Sequence, residues 1–121
     1  FHPSFAGVSL GLLHGAQPEA IVLCHDPSRR EMRGLPGRHL PELGECLRRN
    51  LEAARLTSPQ VYAAGICLNT AAISEAEARA LCAATEDRLA LPVTDPHRFG
   101  SDPILDFLCT APSTSATTAS R

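Results

Sequence analysis

The chain reads as an α/β domain built on a parallel sheet, and three observations carry that reading. Ala20 to Cys24 and Val61 to Leu68 are continuous apolar runs of strand length, the pattern of strands covered on both faces. A stretch with apolar residues at helical spacing separates them, and an Ala-rich stretch leads on to a short third run, Leu91-Pro92-Val93-Thr94. Strands alternating with helices of this length imply right-handed βαβ units and parallel pairing. Three such strands by themselves leave two sheet edges and incomplete cover, so the expectation is that neighbouring strands or partners complete the sheet.

In chain order, Ser4 to Leu13 predicts a short helix with Gly15 as its stop, and His14 is placed to cap it. The first strand, Ala20 to Cys24, runs into His25-Asp26-Pro27. Ser28 to Arg38 carries four arginines with Gly34, Pro36 and Gly37, which predicts a basic loop. Leu40, Leu43, Leu47, Leu51 and Ala54 recur at three- and four-residue intervals, with Pro41 near the first turn, and predict a helix whose Arg48, Arg49 and Arg55 form a solvated face. His39 beside it reads as solvated. The second strand ends at Asn69-Thr70. Ser74 and Glu77 have capping-box spacing and open a helix running to Ala90. The last strand leads into Asp95-Pro96-His97-Arg98-Phe99-Gly100, and a short helix covers Pro103 to Leu108. The expected domain is 1–109; residues 110–121, rich in Ser, Thr and Ala without large apolar side chains, read as a disordered tail.

Composition narrows the function. With 44% apolar and 20% charged residues over 121 positions the chain is expected to fold around one core. A net charge of -2 offers no basic field, so neither nucleic acid nor a membrane surface is an expected partner. No apolar run approaches the roughly 20 residues of a membrane span, and the first residues lack a signal-peptide pattern; the expected compartment is the cytoplasm. The five cysteines are odd in number and lack a C-x-x-C pair, which argues against a disulfide framework or a metal site. Cys24 and Cys67 lie in apolar runs and read as packing residues. All 11 basic Lys and Arg residues are arginines, so the chain holds neither a Walker A loop nor a Schiff-base lysine. It has no G-x-G-x-x-G either.

In open parallel sheets ligands bind beyond the carboxyl ends of the strands. The residues there are His25, Asp26, Arg29 and Arg30 after the first strand, Asn69 and Thr70 after the second, and Asp95, His97 and Arg98 after the third. Each group taken alone is a turn former, because Asp and Asn cap neighbouring amides and Pro fixes the bend. Three of them on one sheet edge offer a base, an amide for recognition and arginines for anions.

Four segments, His2 to Gly15 (HPSFAGVSLGLLHG), Leu23 to Arg30 (LCHDPSRR), Gly65 to Thr70 (GICLNT) and Asp95 to Gly100 (DPHRFG), resemble the C-terminal domain of one family. It was formerly domain of unknown function 1611, also labelled NAD-dependent epimerase/dehydratase, and some members are assigned as D-glutamate, or D-amino-acid, N-acetyltransferases using acetyl-CoA. The resemblance spans about residues 1 to 108. It implies the C-terminal half of a three-layer, P-loop-like (Rossmann-type) fold, with the phosphate-binding loop and an acidic Gly-rich turn lying before the position of Phe1. Val61 to Asn69 is also similar to the dethiobiotin-synthetase type of P-loop fold, where the corresponding Asn meets adenine; Asn69 has the donors and acceptor for that edge.

The activity so implied is acetyl transfer from acetyl-CoA, as co-substrate, to the amine of a D-amino acid, D-glutamate first. His25, His2 or Asp95 would take the ammonium proton. Arg30 and Arg98 would hold substrate carboxylates, with Thr70 beside them, and Asn69 and Arg29 would meet the coenzyme, Arg30 being the alternative to Arg29. No metal is implied. Two other readings stand beside it: a nucleotide-dependent P-loop ligase or kinase, and an inactive chain that only associates, with an N-terminal half or with its own copies across sheet edges. The isolated chain is expected to be inactive.

Overall fold

β2 (Tyr62–Leu68) is the centre of a three-stranded parallel sheet of order β1-β2-β3, flanked by β1 (Ala20–His25) and the two-residue β3 (Val93–Thr94). The structure is a computed structural model and describes residues 1–111; of the tail expected over 110–121, Thr110 ends the last helix and 112–121 lie outside the described residues. Its helices are α1 (Ala6–Ala16), α2 (Leu43–Arg55), α3 (Glu75–Leu89), α4 (Pro96–Phe99) and α5 (Asp102–Thr110). The parallel α/β architecture predicted from alternating strands and helices is the one observed.

Successive strand residues face opposite sides, and the two sides of β2 meet different helices. On one side Ile66 and Leu68 join Val93, Leu43 of α2 and Cys82 of α3 in the core, with Leu23, Leu81 and Leu89 packed against it. On the other side α5 crosses β2 and β3. A Cβ on Gly65 would stand 2.8 Å from both Ile104 of α5 and the Pro92 carbonyl oxygen, so only glycine permits this approach. Between Ile21 and Val22 the β1 register skips Ala64, a bulge that gives β2 one extra residue.

Four local expectations need correction. β1 is not covered on both faces: it is an edge strand, and Val22 and Cys24 are exposed because α5 packs chiefly against β2 and β3. Gly15 does not stop the first helix, which continues to Ala16 and closes on Gln17 in the left-handed conformation (φ 47°). His14 does not cap its own helix; its Nε2 donates to the Ala53 carbonyl at 2.8 Å and so ties α1 to the end of α2. α2 begins after Pro41, because the Glu42 carboxylate accepts from the amides of Gly44 and Glu45 and acts as the N-cap. The Ser74–Glu77 capping box is formed as expected, and Arg48 and Arg49 lie on an exposed face paired with Glu45 and Glu52.

The basic loop has more order than its composition suggests. Met32 is buried, its amide donates to the Arg38 carbonyl, and Leu40 donates to Arg30, around an isolated bridge between Glu31 and His39. Gly34 and Gly37, both with φ near +76°, make the turns inside it.

Candidate active site

The carboxyl ends of the three strands converge, as the parallel topology requires. A cavity of about 390 Å³ is lined by Cys24, His25, Asp26 and Arg29 from the β1 end, Cys67 and Asn69 from the β2 end, and Asp95, Pro96 and His97 after β3. A second, of about 490 Å³, opens toward α2 and α3 and is lined by His25, Arg29, Arg30, His39, Leu68, Thr85 and Arg88 among others. His25, Arg29 and Leu68 belong to both.

The turn chemistry and the cleft are built from the same residues. Asp26 accepts from the Ser28 amide and hydroxyl at 3.0 and 2.6 Å. Asn69 accepts from the Ala71 amide at 3.2 Å, while its own amide donates to the His25 carbonyl at 2.9 Å and locks the β2 end to the β1 end. Asp95 caps α4 through the amides of His97 and Arg98 and takes the Thr70 amide and hydroxyl on its other oxygen, at 2.9 and 2.5 Å. Thr70 is buried and acts here as a clamp on Asp95. Burial pushes the Asp95 carboxyl up, but the Thr70 bonds and the two helix amides outweigh it and hold the group below its ordinary value. Such a carboxylate is a fixed anion with both oxygens engaged, and a weak base.

His25 is placed differently. Half-buried at the end of β1, it is held below the ordinary histidine value, chiefly by burial, with Asp26 opposing and Arg29 adding to the shift. It therefore stands neutral at neutral pH, the state a general base requires.

The remaining predicted residues divide. Arg29 and Asn69 line the first cavity and Arg30 the second. Arg98 is exposed on α4 and lines neither, so the structure does not join it with Arg30 into one clamp. His2 stands apart: its Nδ1 accepts from the Ser4 amide, so its Nε2 carries the proton donated to the Arg33 carbonyl at 2.9 Å. It pins the basic loop.

Sequence reasoning did not find His39, Thr85 and Arg88, which face the second cavity from the loop and α3. Arg88 is held on the rim by Glu42 at 2.8 Å, a pairing across 46 residues that no local spacing signals. Arg29, Arg30 and Arg88 against Glu42 make this cavity cationic in a chain of net charge -2. Among the described residues no group of three or more His, Cys, Asp or Glu is placed to hold a metal ion, and no helix is long and apolar enough to cross a membrane.

Residues 1–105 match the family model described as "Domain of unknown function (DUF1611_C) P-loop domain". Over 108 residues the chain is 44% identical to a protein of Pseudoalteromonas sp and 41% identical to one of Tritonibacter scottomollicae, both named D-glutamate N-acetyltransferase. Each match covers 89% of this chain and 32% of the relative, so the chain spans about a third of the length of these curated relatives. A crystal structure of a DUF1611 family protein from Anabaena variabilis matches with a TM-score of 0.82 at 34% identity, covering 89% of this chain and 32% of that one.

Proposed function

Since the chain belongs to the DUF1611 C-terminal P-loop domain family, we propose that it contributes the strand-end half of a site transferring an acetyl group from acetyl-CoA to the amine of D-glutamate. The observation that carries this reading is His25, neutral and half-buried where two cavities of different character meet. The relatives' names supply the reaction class.

The roles follow from chemistry and placement. The cationic cavity suits a dicarboxylate, with Arg30 as the planar fork and Arg88 beside it. The cavity bearing Asn69 suits the coenzyme end: its amide oxygen keeps a second lone pair after the Ala71 bond, and its NH₂ group faces the edge-recognition task. Bound acetyl-CoA supplies the acyl group as a thioester. His25 takes the ammonium proton so that a neutral amine can attack, Arg29 screens charge on both sides, and Thr70-Asp95 fixes the β2 and β3 ends around them. Backbone amides for the oxyanion are proposed to come from the region that the relatives carry outside the matched residues, in the same polypeptide or a partner; a second copy across the sheet edges is the other candidate partner. A cytoplasmic setting, where acetyl-CoA is made and used, belongs to the same proposal.

The test is CoA thiol release from acetyl-CoA with D-glutamate, without ATP, by the chain supplied together with that region. Turnover is expected, and His25→Ala should lower kcat by about 10²- to 10⁴-fold with KM for D-glutamate little changed. The P-loop description of the family favours one second reading, a nucleotide-dependent ligase or kinase. Product formed only with ATP would establish that reading in place of acetyl transfer.

A further inference from the structure

Cys24 and Cys67 are register partners on adjacent parallel strands, so their side chains leave the sheet on the same face. Neighbouring strands run roughly 4.8 Å apart, inside the window of about 4.4 to 6.8 Å between Cα atoms that a disulfide spans. Both thiols line the floor of the 390 Å³ cavity, Cys24 exposed and Cys67 half-buried. Cys46 and Cys82 sit on α2 and α3, and Cys109 on α5. From sequence both cleft cysteines read as packing residues, because only strand register reveals that they are a pair.

We propose that Cys24 and Cys67 form a two-thiol oxidation site for hydrogen peroxide in the strand-end cleft, closing reversibly to a disulfide. Cys24 is the attacking residue because it is the exposed one. Its thiolate sulfur attacks one oxygen of hydrogen peroxide, the O–O bond breaks, and the leaving hydroxide takes up the proton that the thiol gave up and departs as water, so that sulfur is oxidised to the sulfenic acid as the peroxide is reduced. The Cys67 sulfur then attacks the Cys24 sulfur; the S–S bond forms, the S–O bond breaks, and a second water leaves with the Cys67 proton. The balance is two thiols and one peroxide giving one disulfide and two waters. Burial, reinforced by the neighbouring Cys24 thiol, pushes the Cys67 thiol up, which suits a resolving rather than an attacking sulfur. Cys24 is exposed, and exposed disulfides are among the labile ones that small thiols reverse. The disulfide would replace two cleft-lining thiols beside His25 and Asn69 and so alter the floor on which a ligand rests. The site does not depend on the acetyl-transfer reading.

The experiment oxidises the reduced chain with hydrogen peroxide, blocks remaining thiols, digests at arginine and identifies peptides by mass spectrometry. The expected result is a linked peptide pair containing Cys24 and Cys67, lighter by two hydrogens and separated by dithiothreitol. Cys67→Ser should abolish the link and leave a Cys24 sulfenic acid trapped by dimedone; Cys24→Ser, at an exposed position, should slow Cys67 oxidation at least tenfold. Irreversible over-oxidation of Cys24 without the link, a link to another cysteine, or only intermolecular disulfides at high protein concentration would each overturn the proposal. The linkage measurement on the unmodified chain decides even if Cys67→Ser does not fold.

Discussion

On one face of the sheet Leu23, Ile66, Leu68 and Val93 lie under α2 and α3 and hold the core; on the other, Gly65 receives Ile104 of α5, while Val22 is 39% exposed and Cys24 lies open beside the cleft. The strands themselves are apolar toward both sides, so the asymmetry comes from which helices arrive. The packed face carries stability. The open face leaves the upper part of β1 accessible and supplies the thiol floor of the first cavity.

Substitutions along adjacent strand positions test that division directly. The largest expected effect is Ile66→Ala, which empties a fully buried site in the packed face and should cost about 4 kcal/mol, seen as a lower urea midpoint at constant m value. Asp95→Ala at the rim where both faces end should cost about 3 kcal/mol, because it strands the Thr70 hydroxyl and three amides. Gly65→Ala, one residue from Ile66 but on the α5 face, should cost about 2 kcal/mol. Its Cβ meets a backbone carbonyl that cannot rotate away. An order reversed between Ile66 and Gly65 would show that α5, not α2 and α3, makes the principal core.

Titration sharpens the contrast at the cleft. His25 is depressed in the folded chain, so between its folded value and the ordinary 6.5 the unfolded chain binds more protons than the folded one. Stability therefore has no His25 contribution above about pH 6.5 and falls as pH drops below it. Asp95 acts lower: its stabilisation is present above the ordinary 3.8 and is lost as pH falls through its still lower folded value. Urea midpoints of the unmodified chain and His25→Asn, measured from pH 7.5 down to 5, should diverge on the acid side, with the variant less sensitive to acid.

The fold was legible wherever short-range chemistry decides it. The Ser74–Glu77 box, the apolar run of β2 and the polar residues after each strand all carried local signals that the structure repeats. Elements fixed by distant partners were not. The exposure of β1 follows from where α5 packs, and His14 found its acceptor 39 residues away on Ala53. The site divides in the same way. His25 and Asn69 follow from the strand-end rule, whereas Arg88 enters the cavity through Glu42, and Cys24 meets Cys67 only through strand register. Arg98 and His2 had suitable chemistry but stand outside the cavity linings because one lies on an exposed helix and the other is tied to Arg33.

The smallest expected effect bears most directly on the open face. Val22→Thr keeps the β-branched shape and changes one methyl to hydroxyl on an exposed edge-strand position, so in dilute solution it should move stability by less than about 0.5 kcal/mol. The same change at a position covered by a partner would bury a hydroxyl and cost about 1 to 3 kcal/mol. Midpoints measured across a hundredfold range of protein concentration separate these cases, since association stabilises by mass action and makes the transition concentration-dependent. A small, concentration-independent change would mean that β1 meets water above α5. A larger loss for Val22→Thr that appears only at high concentration would mean that a second copy covers this face, and that the contrast between the two sides of the sheet belongs to the single chain alone.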